Sequence, residues 1–149
     1  LKVVLGNSIV NFTATLLCLC QRFHVAMIAE NPLTSRAWLV PSLLRARRLP
    51  HCSVAVTHFC QYGKPWRKAT RFIAIFCDLS PVASKRCRMA GGICVCQGRK
   101  HQVLEGKSTG VFWTKIAQPY PKRLAVLLAS CLENAVYGIA GTLFSSKCG

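Results

Sequence analysis

At 149 residues the chain has the length of one domain with a real core, able to bury about 70% of its unfolded surface, and 52% of its residues are hydrophobic. Twenty Lys and Arg stand against four acids, Glu30, Asp78, Glu105 and Glu133. The resulting charge of +16 is more one-sided than solubility requires and concentrates polyanions at the surface, so the expected partner is nucleic acid, DNA first, with an acidic lipid surface as the competing choice. Ten cysteines in a chain longer than stapled mini-proteins, with no clear secretory leader, read as reduced thiols of an intracellular or nuclear protein rather than as a disulfide framework.

Val3 to Cys20 carries no formal charge and approaches the length of a membrane span, but Gly6, Asn7, Ser8, Asn11, Thr13 and Thr15 crowd its first two-thirds. The favoured reading is a helix capped by Asn7 or Ser8, apolar on most sides through Ile9, Val10, Phe12, Leu16, Leu17 and Leu19, lying under other layers and not in a bilayer. Val25 to Ala29 reads as a short buried strand that puts Glu30 at its carboxyl edge. Thr34 or Ser35 is expected to cap a helical segment from Arg36, with Pro41 restarting a turn and Pro50 closing the basic tail. Ser53 to Thr57 and Arg71 to Phe76 are further strands, separated by a loop, His58 to Thr70, that contains Gly63 and Pro65. From Ser80 to Gly110 the chain turns rich in Cys, Gly and Lys/Arg and cannot bury much by itself. Pro121 opens the best helical pattern, with Leu124, Leu127, Leu128, Cys131 and Leu132 on one face; Gly138 and Gly141 are expected to end it. Glu133 and Asn134 near the middle of Leu124 to Phe144 argue against a second membrane span. The fold class expected is α/β, a partial doubly wound, Rossmann-like sheet with flanking helices: residues 1–137 form the domain, 80–110 a Cys-rich basic insertion, and 138–149 a tail.

No nucleophile elbow, P-loop or G-x-G-x-x-G motif occurs. Chemistry is concentrated instead in Glu30-Asn31-Pro32, in Gln61 to Lys68, and in a Cys/His group. A lone carboxylate at a strand end beside a Gly/Pro loop dense in cations can hold a polar ring next to phosphate, with Tyr62 and Trp66 placed for base stacking; the plainer alternatives are a turn-stabilising acid and a solvated loop. Cys87, Cys94, Cys96 and His101 lie within fifteen residues of one another, in a Gly-containing segment that a structural zinc could fold. Their C-x6-C-x-C-x4-H spacing lacks the usual C-x2-C knuckle, and in an extended backbone Cys94 and Cys96 point to opposite sides, so Cys60 or Cys77 is an alternative to Cys96. His24, His51 and His58 have no evident role.

The phrases Glu30-Asn31-Pro32-Leu33-Thr34-Ser35-Arg36-Ala37-Trp38 and Cys60-Gln61-Tyr62-Gly63-Lys64-Pro65-Trp66-Arg67-Lys68, with the strands around them, resemble the middle of cytosine-5 DNA methyltransferases. They resemble more closely a divergent methyltransferase-like group whose phrases read E-N-P-x-x-S-x-x-W and C-Q-[YF]-G-x-P-W-R-K. The resemblance covers roughly Leu1 to Leu132. It implies that Glu30 is the catalytic glutamate that contacts N3 and the exocyclic amine of a flipped cytosine, and that Tyr62, Gly63 and Pro65 form the family's Y-G-V-P turn. The arginines that follow this turn in the family fall at Lys68 and Thr70 here, with Arg67 and Arg71 one place off. The group is similar also in having cysteines at positions like Cys87 and Cys94 and a histidine like His101.

The family's Pro-Cys nucleophile and its S-adenosylmethionine loop lie upstream of Glu30, and no Pro-Cys occurs in this chain, which opens at Leu1 without a methionine and reads as part of something larger. The function expected is therefore the base-recognition half of a methyltransferase-like domain, inactive alone, with S-adenosylmethionine bound only in intact relatives. Asn31, Arg45, Arg47, Arg48, Tyr62, Gly63, Lys64, Pro65, Trp66, Arg67, Lys68, Thr70 and Arg71 are the expected nucleic-acid contacts. The alternative is a basic nucleic-acid-binding module without catalysis, stapled by zinc.

Overall fold

The structure is a computed structural model in which residues 2–145 are described. Helix α1 (Lys2–Phe23) leads into strand β1 (Met27–Pro32); a 3-10 turn (Arg36–Leu39) and short α2 (Pro41–Ala46) carry the chain to β2 (Cys52–His58). A second 3-10 turn (Phe59–Tyr62) precedes β3 (Ala69–Ile75) and α3 (Ser80–Ala83). Two small hairpins follow, β4 (Met89–Ala90) with β5 (Ile93–Cys94) and β6 (Lys107–Ser108) with β7 (Val111–Phe112), then α4 (Trp113–Ile116) and the long α5 (Lys122–Ser145).

The main sheet has the order β1-β3-β2, and both pairings are antiparallel. This corrects the expected doubly wound sheet: the protein is mixed α/β with small antiparallel sheets. The reason lies in the connections. The chain between β1 and β2 contains helices and makes a crossover, so these two strands run the same way. The 59–68 loop instead turns back and inserts β3 between them, which needs no crossover helix. The carboxyl ends of β1 and β2 thus share one rim with the amino end of β3, where Pro32 and Thr57 both pair with Thr70.

Alternation along the strands sorts the side chains into two cores. Ala29, Ile73 and Ile75 pack with Ala14 and Leu17 of α1 and with Trp38 and Leu43, whereas Ile28, Ala55, Phe72 and Ala74 pack with Phe59, Leu79, Val82 and the Leu124–Cys131 face of α5. Being central, β3 is covered on both sides, and Phe72 to Ile75 are all buried.

Several boundaries differ from expectation. α1 begins before Asn7 and Ser8, and the Ser8, Thr13 and Thr15 hydroxyls donate to the carbonyls four residues back, 3.0 Å in each case, so these polar residues are satisfied within the helix instead of capping it. Only one stripe of α1 is covered: Ile9, Phe12 and Leu19 are exposed, and Val4–Phe23 is long and apolar enough to cross a membrane by length and composition. Ser35, as expected, caps the 3-10 turn, its hydroxyl accepting from the Ala37 N–H. α5 continues through Gly138, because a glycine weakens a helix by about 1 kcal/mol without blocking it. Of the expected tail, residues 146–149 lie outside the described residues.

Candidate metal centre

A web of short backbone hydrogen bonds brings three distant segments together beside the end of β2. The Cys60 turn is closed by Gly63, whose φ of 87° in the left-handed region suits glycine. The segment around Cys87 is tied to β2: the His58 N–H donates to the Lys85 carbonyl (3.3 Å), and the Cys87 N–H donates to His58 Nδ1 (3.0 Å). The Thr57 hydroxyl and the Gln61 amide cap the Lys85 and Arg86 carbonyls. Past Cys94 the chain doubles back, with the Gly98 N–H on the Cys94 carbonyl (2.8 Å) and the Cys94 N–H on the Arg99 carbonyl (2.9 Å). Gln97 then reaches across to the Cys60 and Lys64 carbonyls, and the Gln102 N–H bonds Pro65 (2.8 Å), which sets His101 over the group.

The result is one constellation. One ligand atom each from Cys60, Cys87, Cys94 and His101 lies within 4.8 Å of all the others, and the set could hold a metal ion. The Cys87 and Cys94 sulfurs are 3.5 Å apart and the Cys87 sulfur is 3.6 Å from His101 Nε2. A tetrahedral site with metal–sulfur bonds of about 2.3 Å has sulfur–sulfur edges of roughly 3.8 Å, which falls between the 3.5 Å of the Cys87–Cys94 pair and the 4.8 Å that bounds the set. The three cysteines are buried in a small cluster separate from both sheet cores.

Cys87, Cys94 and His101 therefore meet as the sequence suggests, and Cys60 takes the fourth place instead of Cys96. Cys96 is exposed, with its sulfur 2.9 Å from that of Cys94. Cys77, the other alternative, is buried with Cys131 in the α5-facing core. Burial works against a Cys94 thiolate, but hydrogen bonds from Cys96 and Cys87 outweigh it and bring its pKa down to about 6. Burial, followed by the Cys87 hydrogen bond, pushes Cys60 up, and burial likewise raises Cys87. His58, passed over in the sequence, has a structural role here. Buried, and set near Arg67, Arg86 and His101, it is lowered to about 4, so it stays neutral and its Nδ1 orients Cys87. Nothing local in the sequence marks it; the only cue is its place at the end of a strand before Cys60.

The other expected site residues divide across the molecule. Glu30 lies on the α5 side of the sheet and is exposed, not desolvated. The Tyr120 hydroxyl bonds its carboxylate, and burial and then this carboxylate raise Tyr120. Tyr120 packs on Phe59, over which Lys68 sits at 4.8 Å while donating to the Ala117 carbonyl (3.0 Å). Glu30 and Lys68 thus share a face of the rim. Arg71 is on the opposite face, 5.2 Å over the Trp38 ring and near enough to Arg47 for that charge to lower it, after desolvation. Asn31 pairs with Arg71 in register; Arg45 and Arg48 are exposed at the end of α2.

Three expected contacts are buried away from any ligand. Tyr62 bonds Thr57 inside the core, Trp66 packs edge-on against Trp113 with its Nε1 unpartnered, and Thr70 is wholly enclosed. Tyr62 and Trp66 join Phe59 and Phe72 in the core that faces α5. Lys64 lies 5.6 Å over the Trp66 ring, with Gly63 and Arg67 exposed and Pro65 half-buried in the same loop. No family model, curated protein or solved structure matches the chain.

Proposed function

We propose that the chain is a nucleic-acid-binding module whose basic surface is stapled by zinc. The observation that carries this reading is the convergence of Cys60, Cys87, Cys94 and His101 within 4.8 Å. Three sulfurs and one imidazole nitrogen in a closed, mostly buried set suit a structural zinc, which would supply folding energy and no reaction. The ligand-bearing segments also carry Arg67, Lys85, Arg86, Arg88, Arg99 and Lys100, all exposed, and no carboxylate lies between Asp78 and Glu105. Tying the segments together turns scattered cations into one surface that can neutralise successive phosphates, with binding that weakens steeply in salt. The test is metal stoichiometry and binding of a labelled DNA duplex and single strand for wild type and Cys87→Ser. One zinc per wild-type chain, none in the variant, and weaker DNA binding without metal is the expected result. Equal, negligible metal in both, or DNA binding indifferent to metal and salt, overturns the proposal.

A second reading keeps the cytosine pocket. It is supported by the shared rim face of Glu30 and Lys68, where Tyr120 meets the Glu30 carboxylate and packs on the Phe59 ring that Lys68 covers. On this reading Glu30 hydrogen-bonds the edge of an extruded base, and a segment outside this chain supplies the thiolate and S-adenosylmethionine. Glu30→Gln should then erase a preference for cytosine over other extruded bases while leaving salt-dependent affinity intact, and the chain alone should transfer no labelled methyl group from S-adenosylmethionine.

A further inference from the structure

Cys96 lies beside the metal set but is not one of its ligands. It is exposed, whereas Cys60, Cys87 and Cys94 are buried, yet its sulfur is the nearest neighbour of the Cys94 sulfur at 2.9 Å, closer than Cys87 at 3.5 Å. The proximity follows from the turn: the Gln97 and Gly98 N–H groups both donate to the Cys94 carbonyl, so residues 94–98 curl and place two side chains on the same side that an extended strand would separate. Only one residue intervenes, so no long loop has to close to bring the two sulfurs together.

We propose that Cys96 is a peroxide-reactive thiol that removes Cys94 from the metal set by forming a Cys94–Cys96 disulfide. This inference rests on the zinc reading above. The exposed Cys96 thiol gives up its proton, its sulfur attacks one oxygen of hydrogen peroxide, and the O–O bond breaks, leaving the sulfenic acid and a hydroxide that takes that proton to become water. The Cys94 sulfur then attacks the Cys96 sulfur, the S–S bond forms, and the departing hydroxide takes a proton to leave as a second water. The Cys96 thiol and the Cys94 thiolate together lose two electrons, one hydrogen peroxide becomes two waters, and the second proton is taken from solvent, because Cys94 had already given up its own on binding metal. Cys60, Cys87 and His101 remain, one donor short of a closed tetrahedral site, so the staple opens and the basic surface it organises loosens. A thiol reductant restores both sulfurs.

The experiment uses the full chain loaded with zinc and treated with hydrogen peroxide. Released metal is followed with a chromophoric chelator, and the tryptic peptide Met89–Arg99, which holds Cys94 and Cys96 as its only cysteines, is weighed. Wild type is expected to release zinc as that peptide loses two hydrogens, Cys96→Ser to release it roughly tenfold more slowly, because the accessible sulfur beside Cys94 is then gone, and Cys18→Ser, which removes another exposed thiol, to behave as wild type. Equal release rates in wild type and Cys96→Ser, or release with that peptide unchanged in mass, overturn this proposal and leave the zinc reading standing. A wild-type chain that holds no zinc before peroxide overturns both.

Discussion

His58 and Thr70 show how much a single enclosed polar group decides. His58 has a folded pKa of about 4 against 6.5 when free, because burial, then the charges of Arg67, Arg86 and His101, disfavour its imidazolium. The folded state therefore refuses a proton that the unfolded chain accepts. Stability is full above pH 6.5 and falls as the pH drops from 6.5 towards 4. In chelator, the melting temperature of wild type should decline across that window. His58→Asn, whose side-chain oxygen can still accept from the Cys87 N–H, should flatten the decline while keeping the fold. Thr70 is the converse case: its hydroxyl is buried with no partner, a state that costs about 1–3 kcal/mol. Thr70→Val keeps the shape and is expected to leave stability equal or raise it by about 1 kcal/mol, measured by urea denaturation; a loss of that size would show the hydroxyl to be satisfied in solution.

Among the elements, α1 presents two unlike faces. Leu17 is fully buried against Ile73 and Ile75, and Asn11 accepts a hydrogen bond from Ser42 at 2.6 Å that fixes α1 beside α2. Leu17→Ala should cost about 3 kcal/mol, in the range for emptying an aliphatic core site, whereas Ile9→Ala on the exposed side should stay within about 0.5 kcal/mol; denaturation midpoints compare the two. The helix was plain in the sequence because its apolar run is long and free of charge. Which side would be covered was not, since apolar residues occur all round it and only the docking of the sheet selects a stripe. The strands were likewise legible from their β-branched and aromatic runs, while their order was not. The pairing of β3 between β1 and β2 depends on how the 59–68 loop packs under α5, and no alternation within a strand encodes that.

For the whole molecule, two sheet cores and a separate sulfur cluster divide the stability. On the zinc reading, stripping the metal is expected to open residues 85–103 to amide hydrogen exchange while β1, β2 and β3 keep their protection, because that segment has a hairpin of only two residues per strand and few buried apolar side chains. Simultaneous loss of protection throughout would mean that the cluster is part of the main cooperative unit.

By itself the sequence determined the helical and extended segments, the cationic excess and three of the four clustered donors, since periodicity, charge and residue type are local properties. Only the tertiary structure decided that Cys60 joins Cys87, Cys94 and His101, that Tyr62, Trp66 and Thr70 are buried and not displayed, and that Arg71 faces away from Glu30. Each of these depends on backbone hydrogen bonds and strand register between residues far apart in the chain, and short-range patterning carries no record of which distant partners will meet.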